Sequence, residues 1–332
     1  MTSALSKKIL VTGAAGFIGF HVAKRLLEEG HTVVGVDNLN SYYSVQLKKD
    51  RLKQLESFEF FQFYCLDVAD HQAMEKMWQQ EKPITHVVHL AAQAGVRYSL
   101  IDPYPYVHSN VTGFMVMLEQ CRYQENFEHL VYASTSSVYG LNPSLPFKES
   151  DPVEHPISLY AATKRANELM AQSYYHLYRY PITGLRLFTV YGPWGRPDMS
   201  LFKFTKAILA GETIDVYNHG QMSRDYTYIS DIVDGILAAL WRPASVEPRE
   251  HPLYNLGNDQ KQSLMTFIEA LEEALGRKAN KNFLPLQPGD IVETSSDIQK
   301  AKVELGYCPK VDIHQGIAEF VEWYKTHTIY LK

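Results

Sequence analysis

The first half of the chain alternates short apolar runs with longer amphipathic runs, an order that few folds can accommodate. Short runs rich in Val, Ile, Leu and aromatic residues lie at Lys8–Thr12, Thr32–Val36, Phe60–Tyr64, Thr85–Leu90 and His129–Ser134. Runs of this length are typical of strands that are buried on both faces. Segments long enough for crossover helices lie between them, at Gly16–Glu29, Val45–Leu55, Gln72–Gln80 and Pro105–Tyr123. Because parallel strands need such crossovers, the order predicts a parallel sheet with helices on both sides.

The alternation continues for one more unit and then breaks. Ser158–Tyr180 is the longest helix candidate, and a sixth strand is predicted at Ile182–Leu187. A loop rich in Gly and Pro follows at residues 191–197. The predicted fold class is α/β, with a Rossmann-type, doubly wound parallel sheet in residues 1–187 and a return segment near residues 226–256. A smaller mixed α/β lobe for the substrate is predicted in residues 188–332.

Composition and charge exclude several classes of partner. The 332-residue chain has a formal net charge of -5, so it lacks a global basic field for nucleic acid or anionic lipid. Its three cysteines are far apart, and no Cys or His pair has zinc-ligand spacing. We therefore expect neither a disulfide framework nor a metal site. The first apolar run, Ile9–Val11, is too short for a signal peptide or a membrane span, and a cytoplasmic location is expected.

A strand, a glycine-rich turn and a helix start follow one another over residues 9–19. Gly13 permits the tight turn, Gly16 lets the backbone approach a pyrophosphate, and Gly19 lets helix and strand pack closely. The first helical turn, with Phe17 and Ile18, offers free N–H groups and a partial positive charge to phosphates. A plain strand-to-helix turn would be the alternative, but the second strand that follows favours a dinucleotide site.

Four positions at the ends of later strands extend this predicted site, and Asp37 selects the cofactor. An acid at the end of the second strand accepts both ribose hydroxyls and repels a 2′-phosphate, so NAD is favoured over NADP. Asp67 and Val68 follow the third strand, and Ala91 and Ala92 end the fourth. Asp67 is predicted either to reach the adenine amino group or to cap a helix. The small Ala91 leaves room for the cofactor backbone.

Tyr160 and Lys164 lie four positions apart, so they share one face of the longest helix candidate. A free tyrosine titrates near pH 10, but a nearby ammonium and the positive nicotinamide ring would lower that pKa. On its own the pair is common on helix surfaces without any function. Here the preceding strand ends in four hydroxyl residues at positions 134–137, which suit a polar site floor better than a core. We therefore predict that the pair serves hydride transfer.

Together these motifs resemble the extended short-chain dehydrogenase/reductase family, over nearly the whole chain. The shared features are Thr12-Gly13-x-x-Gly16-x-x-Gly19, residues 134–140, Tyr160-x-x-x-Lys164, Asn110, Leu185-Arg186, residues 191–193, residues 224–228 with Asp231, and Gly289-Asp290. They are typical of sugar-nucleotide enzymes. The resemblance implies that Thr135 joins the catalytic pair, that Arg224 contacts the nucleotide diphosphate and that Asp290 belongs to the substrate site. An exposed ion pair with Asp225 is the alternative for Arg224.

The residues after Thr135 distinguish between the reactions of that family. Its dehydratases carry Asp-Glu there, whereas this chain has Ser136 and Ser137, which have no useful acidity near pH 7. Elimination of water is therefore disfavoured. What the resemblance leaves is transient oxidation at the sugar C4 with bound NAD, rotation of the 4-keto sugar and hydride return to the opposite face, which is epimerisation.

Two segments indicate an acidic sugar. Ala94–Ser99 and Leu187–Met199 are similar to those of UDP-glucuronate 4-epimerases. Candidate donors to the sugar carboxylate are the short hydroxyls of Ser136, Ser137 and Thr189. Arg97 and Arg196 are candidates for the carboxylate, the phosphates or the ring hydroxyls. The 4-keto intermediate would be a β-keto acid, which loses CO2 when the breaking bond aligns with the ketone. Several directional hydroxyl bonds would hold the carboxylate out of that alignment.

Several alternatives remain open. A 4-epimerase of neutral UDP-sugars (UDP-glucose/UDP-galactose or UDP-xylose) would need no carboxylate donors, and a UDP-glucuronate decarboxylase would release CO2. A non-catalytic NAD-binding regulator would not need Tyr160 and Lys164 in register. The choice between UDP and dTDP is also open. The long helices Pro105–Tyr123 and Ser158–Tyr180 predict a homodimer through a four-helix interface, as in the family.

Overall fold

Strands and helices alternate through the described part of the computed structural model, which comprises residues 6–242, 251–287 and 290–327. The strands are β1 (Lys8–Thr12), β2 (Thr32–Asp37), β3 (Phe61–Cys65), β4 (His86–His89), β5 (His129–Thr135), β6 (Ile182–Leu187), β7 (Thr189–Tyr191), β8 (Thr213–Val216), β9 (Ser223–Tyr228), β10 (Leu253–Leu256), β11 (Lys261–Ser263) and β12 (Asn280–Phe283). The α-helices are α1 (Phe17–Glu28), α2 (Val45–Leu55), α3 (His71–Glu81), α4 (Gly113–Arg122), α5 (Leu159–Tyr178), α6 (Ser200–Ala210), α7 (Ile229–Leu240), α8 (Leu264–Leu275), α9 (Gln299–Leu305) and α10 (Ile313–Thr326). Gly289 of the predicted Gly289-Asp290 motif lies outside the described residues, as do parts of the predicted return segment and lobe.

The main sheet has seven strands in the order β10-β6-β5-β4-β1-β2-β3. All of its neighbouring strands pair in parallel. The strand order reverses between β1 and β4, so the loops that leave their carboxyl ends run to opposite sides and open a crevice. The predicted doubly wound Rossmann-type sheet is therefore confirmed, and the crevice places a ligand site between β1 and β4.

Both faces of this sheet are covered, which explains why its strands are continuously apolar. In β1, Ile9 and Val11 face the cluster that contains residues of α1 and α7. Leu10 faces the opposite cluster, with residues of α3, α4 and α5. Successive side chains of a strand point to opposite faces, so both sets need to be apolar.

The ends of the longest helix follow from local chemistry. Helix α5 begins after Ser158, whose Oγ accepts a hydrogen bond from the backbone N–H of Ala161 at 3.1 Å. It ends where Arg179 takes a left-handed backbone conformation with φ 55°. The predicted single helix Pro105–Tyr123 differs more, because the structure has a π-helical segment, Tyr106–Thr112, that leads into α4.

The remaining elements build the lobe. A three-stranded sheet has the order β11-β9-β7 and a two-stranded sheet pairs β12 with β8, while α8 packs against α10 and α6. Strand β10 belongs to the main sheet instead, beside β6, and α7 packs on α1. The division of the chain at residues 187 and 188 stays a prediction.

The helices can be compared with the length and apolar character that a membrane span requires. Over the described ranges of the chain, none of the helices combines the length and the apolar character needed to cross a bilayer. The expected cytoplasmic location stays a prediction.

Candidate active site

A cleft of about 980 Å³ opens at the carboxyl edge of the main sheet and continues beneath the lobe. Its size is at the upper end of the range for ligand pockets. The predicted cofactor residues that line it are Gly13, Gly16, Phe17, Ile18, Gly19, Asp37, Val68, Ala91, Ala92, Tyr160 and Lys164. The predicted catalytic and substrate residues that line it are Arg97, Thr135, Ser136, Ser137, Thr189, Arg196, Arg224 and Asp290. The fold thus brings together residues that are up to 277 positions apart in sequence, from Gly13 to Asp290.

The glycine turn after β1 has no room for side chains. Gly13 has φ +72°, and a Cβ there would lie 2.9 Å from the backbone nitrogen of Ala91. A Cβ on Gly19 would lie 2.1 Å from the carbonyl oxygen of Gly13. Helix α1 then begins at Phe17 without a side-chain cap or an acidic residue in its first turn. Its first N–H groups have no partner within the helix, so the turn fits a pyrophosphate.

Asp37 ends β2 at the edge of the cleft. Its carboxylate accepts hydrogen bonds from the backbone N–H groups of Leu39 at 2.8 Å and Ala15 at 3.2 Å. Burial raises the pKa of Asp37, and the ammonium of Lys48 together with the two backbone bonds acts to lower it. A carboxylate held here by the backbone fits the ribose hydroxyls of NAD, because it still has lone pairs to accept from them.

Asp67 does not join the residues that line the cleft. Its carboxylate accepts from the backbone N–H of Ala69 at 2.9 Å and from the Asn38 amide at 3.1 Å. Asp70 caps α3, because its Oδ1 accepts from the backbone N–H of Ala73 at 3.0 Å. The predicted helix cap at Asp67 is therefore wrong, and its contact with adenine stays a prediction.

Tyr160 and Lys164 lie on the first turns of α5 and reach the cleft from below. The Thr135 side chain forms a hydrogen bond with the Tyr160 side chain. Burial raises the pKa of Tyr160, while the bond to Thr135 and the charge of Arg196 act to lower it. Burial lowers the pKa of Lys164 to about 8, against the opposing charge of Glu168.

The tyrosine therefore departs from the sequence-based prediction. That prediction relied on Lys164 and on the nicotinamide charge to lower the pKa of Tyr160. Of the influences that the protein exerts on this pKa, burial is the largest, and it raises the pKa. Thr135 and Arg196 lower it. Desolvation disfavours the phenolate, since a charged oxygen loses more hydration than a neutral one.

A buried ion pair lies one turn further along α5 than Lys164. Arg186 donates to both carboxylate oxygens of Glu168, at 2.9 and 3.0 Å, and Ser134 donates to Glu168 at 2.7 Å. Burial would raise the pKa of Glu168, but the bonds and charge of Arg186 hold it below its usual value. The hydroxyl of Ser134 thus supports α5 from the sheet. Sequence reasoning missed this role, although Leu185-Arg186 stood among the recognised motifs.

Asn110 connects three parts of the site. Its side chain accepts from the backbone N–H of Gln93 at 2.8 Å and donates to the Thr163 hydroxyl at 3.0 Å. It therefore joins the loop after β4 to α5, which carries Tyr160. Asn110 lies in the π-helical segment, and such segments are frequent at functional sites.

The outer end of the cleft carries two arginines. Arg97 donates to Asp290 at 2.6 Å, and its guanidinium lies 4.8 Å from the centre of the Tyr217 ring. Arg224 lines the cleft and donates to the carbonyl oxygens of Ser223 and Val292. These two cations suit a diphosphate group.

Arg224 and Asp225 both lie within the described residues, and they do not form the alternative ion pair there. Neighbours in a strand point to opposite faces, and Asp225 is buried on the other side of β9. There it accepts from the backbone N–H groups of Asn258 at 2.6 Å and Ser296 at 3.1 Å. Asp225 therefore holds the lobe together, a role that its position beside an arginine did not reveal.

The inner end of the cleft carries neutral hydroxyls and one ion pair. Ser136, Ser137 and Thr189 line it together with Tyr160. Arg196 lines it as well, but its guanidinium is paired with Asp198. Tyr42, which also lines the cleft, donates to Asp198 at 3.1 Å. Sequence reasoning missed Tyr42, and it included Asp198 only as part of the segment Leu187–Met199. Their contact could not be inferred, because they lie 156 positions apart.

The chain is similar to several sugar-nucleotide epimerases. A family model described as the NAD dependent epimerase/dehydratase family matches residues 9–257. A protein named probable UDP-glucuronate 4-epimerase, from Rhizobium meliloti (strain 1021), is 46% identical over 331 residues, with 96% of this chain and 96% of the relative covered. Among solved structures, UDP-glucuronic acid 4-epimerase from Bacillus cereus, in complex with UDP-glucuronic acid and NAD, has a TM-score of 0.88 and 36% identity, over 96% of this chain and 99% of that chain. UDP-glucose 4-epimerase from Thermotoga maritima, with UDP-glucose, has a TM-score of 0.86 and 30% identity, over 96% of this chain and 99% of that chain.

Proposed function

The chain belongs to the NAD-dependent epimerase/dehydratase family, and within that family we propose that it is a UDP-glucuronate 4-epimerase, which interconverts UDP-glucuronate and UDP-galacturonate. One observation carries the proposal. Ser136, Ser137 and Thr189 place neutral hydroxyl donors in the same cleft as Tyr160, where a sugar carboxylate would need them. The similarity to the Rhizobium meliloti and Bacillus cereus proteins supports the acidic sugar.

The protein's own groups hold the cofactor and handle the proton. The glycine turn and the start of α1 hold the pyrophosphate of NAD, and Asp37 holds its adenosine ribose. Bound NAD supplies the acceptor, and then the donor, of the hydride at the sugar C4. Tyr160 takes the proton of the 4-hydroxyl and later returns it, with Thr135 sharing the hydrogen bond. In this proposal Lys164 bonds the nicotinamide ribose. In this proposal residues 1–187, with the return segment, bind NAD, and residues 188–332 mainly bind the UDP-sugar.

The sugar must turn between the two hydride transfers while it keeps its carboxylate. The 4-keto sugar is a β-keto acid, so an aligned carboxylate would leave as CO2. Ser136, Ser137 and Thr189 hold the carboxylate by short directional bonds, while Arg97 and Arg224 hold the diphosphate at the other end of the cleft. The diphosphate then acts as the fixed end about which the sugar rotates.

Product analysis with purified protein tests this function. UDP-glucuronate is added without NAD, and the products are separated by anion-exchange chromatography. We expect UDP-galacturonate, little UDP-xylose and no CO2. UDP-glucose and UDP-xylose serve as neutral substrates in parallel reactions. Turnover of the neutral sugars alone would support a neutral 4-epimerase, and release of CO2 would support a decarboxylase; either result would contradict the proposal.

We also propose that two copies of the chain pair through α4 and α5. Apolar side chains on the outer face of these helices are exposed, namely Met115, Leu169, Leu177 and Tyr178, together with Val107 of the π-helical segment. These five large apolar side chains belong to three segments that pack against one another, so they are more than scattered surface residues. Two-fold pairing of such a face would give the predicted four-helix interface.

A further inference from the structure

Arg196 and Asp198 form a two-point ion pair in the cleft that Tyr160 also lines. Arg196 donates from Nε to Oδ1 of Asp198 at 3.0 Å and from Nη2 to Oδ2 at 2.5 Å. Both residues line the cleft, in the loop that follows β7. The charge of Arg196 reaches the reacting end of the cleft, since it lowers the pKa of Tyr160.

Tyr42 fixes the carboxylate partner from the cofactor side. Its hydroxyl donates to Oδ2 of Asp198 at 3.1 Å. The Tyr42 ring lies 5.9 Å from the Arg196 guanidinium and 4.7 Å from the centre of the Tyr98 ring. Asp198 is therefore held by two donors that come from loops after different strands.

This arrangement restricts what Arg196 offers to a ligand. An arginine grips a carboxylate best through two parallel N–H bonds. Asp198 occupies the Nε edge of Arg196, so the edge formed by Nη1 and Nη2 is left for a ligand, on a guanidinium whose charge Asp198 balances. Burial would raise the pKa of Asp198, but the charge and bonds of Arg196 hold it below its usual value, so the pair is ionised and nearly neutral overall.

We propose that Asp198 is a positioning residue that confines Arg196 to its Nη1–Nη2 edge and, by balancing its charge, weakens its contact with the carboxylate of the sugar. The inference rests on the proposed function. An arginine with its full charge unbalanced would hold the carboxylate tightly in one orientation, and the keto sugar would then rotate slowly. A weakened contact keeps the acid recognised and lets the ring turn, because the carboxylate can leave one orientation during the rotation.

The test compares acidic and neutral ligands in an enzyme that does not turn over. Tyr160→Phe provides the background, and Asp198→Asn is added to it. Titration calorimetry measures the Kd of UDP-glucuronate and of UDP-glucose, with NAD bound. Asn keeps one acceptor for Arg196 and releases one of its donors. It also removes the negative charge that balances the guanidinium. We expect UDP-glucuronate to bind about tenfold to a hundredfold more tightly, the range of one additional charge-assisted hydrogen bond, with UDP-glucose unchanged.

Turnover supplies the second readout. With Tyr160 intact, Asp198→Asn should lower both KM and kcat for UDP-glucuronate, because tighter holding slows rotation. Tyr42→Phe removes one donor to Asp198 and should shift both constants in the same direction by less. Asp259→Asn is the matched control, since it makes the same substitution in an exposed ion pair with Lys302.

The two proposals fail in different ways. Absence of UDP-galacturonate with the unaltered enzyme would reject the function itself. Weaker binding of UDP-glucuronate by the Asp198→Asn variant, or an equal change for both ligands, would reject the role of Asp198 and leave the function standing. Thermal melting of each variant identifies a folding defect. If Asp198→Asn does not fold, the KM and kcat of Tyr42→Phe test the role of Asp198 instead. Values equal to those of the unaltered enzyme would then reject that role.

Discussion

Tyr160 combines two properties at the scale of a single residue. Its hydroxyl is hydrogen-bonded to Thr135, and its burial raises its pKa. A tyrosine in that state is a useful proton carrier only where other groups favour the phenolate. We expect Tyr160→Phe to lower kcat by about a hundredfold to ten-thousandfold, the usual contribution of a positioned acid–base group. NAD should stay bound, because the glycine turn and Asp37 are untouched.

Two measurements check this prediction. Initial rates of UDP-galacturonate formation give kcat, and the absorbance of the cofactor released by denaturation gives the NAD content. Tyr123→Phe, on an exposed tyrosine at the end of α4, is the matched control and should change neither. Near-normal turnover of Tyr160→Phe would rule out the assigned role.

How much of the site can be predicted depends on how its residues are spaced. Gly13, Gly16 and Gly19 are close in sequence, and so are Tyr160 and Lys164. Local spacing alone therefore predicts a dinucleotide-binding turn from the first group and a catalytic pair from the second. Asp198 is different. Its partner Tyr42 belongs to a loop after another strand, and only the parallel sheet brings the two loops to the same edge. The identity of such partners depends on tertiary packing, which spacing does not encode.

At the scale of elements, periodicity predicts the regular helices and strands and misses their local irregularities. Val45–Leu55 is a helix with the predicted ends, since its apolar residues follow the helical period. The π-helical segment before α4 buries Tyr106 and Asn110, four positions apart, a spacing that also shares one face of an α-helix, so the period does not separate the two. The hydrogen bonds of Asn110 to Gln93 and Thr163 are long-range contacts that accompany the irregular turn.

The outer face of α4 and α5 gives a prediction about assembly. Leu169 and Leu177 of α5 are 56% and 61% exposed, and they lie eight positions apart on one side of the helix. In a dimer both would be buried, and a glutamate at either position would place a charge in an apolar interface. We expect Leu169→Glu combined with Leu177→Glu to convert a dimer into a monomer.

Light scattering coupled to gel filtration measures the mass directly. Val303→Glu is the control, because Val303 is 73% exposed on α9, away from α4 and α5. This control should leave the mass unchanged. An unaltered enzyme that runs as a monomer at micromolar concentration would refute the proposed pairing.

At the scale of the whole molecule, the order of the seven strands is what makes a single cleft from distant motifs. The sequence-based alternation predicts a parallel sheet, and the reversal between β1 and β4 then positions the ligand site by topology. The lobe is less predictable. Its short strands pair through contacts such as those of Asp225 with Asn258 and Ser296, which depend on the packed structure rather than on a period.

The packed structure also buries histidines, and this has a consequence for stability against acid. His86, His89, His129 and His251 are buried. Burial lowers the pKa of each, to about 4 for His86, His129 and His251 and to about 3 for His89. An unfolded histidine titrates near 6.5. Between these values the unfolded chain binds more protons than the folded chain, so the free energy of unfolding falls as the pH falls.

We therefore expect stability to be nearly constant above about pH 7 and to fall steeply from pH 6.5 toward pH 4, by up to about 1.4 kcal/mol per pH unit for each buried histidine. Urea unfolding at pH 8, 7, 6 and 5 gives the free energy at each value. Carboxyls whose pKa burial raises, such as Asp37 and Glu149, oppose the trend between their unfolded values near 4 and their raised folded values. In a His251→Gln variant the unfolded chain binds one proton fewer than the unaltered unfolded chain. The folded chain loses little, because the buried His251 ring is hydrogen-bonded to Tyr132 and has a pKa of about 4. The slope of this variant should be shallower by about one proton, and an equal slope in both proteins would show that buried histidines do not govern the acid limit.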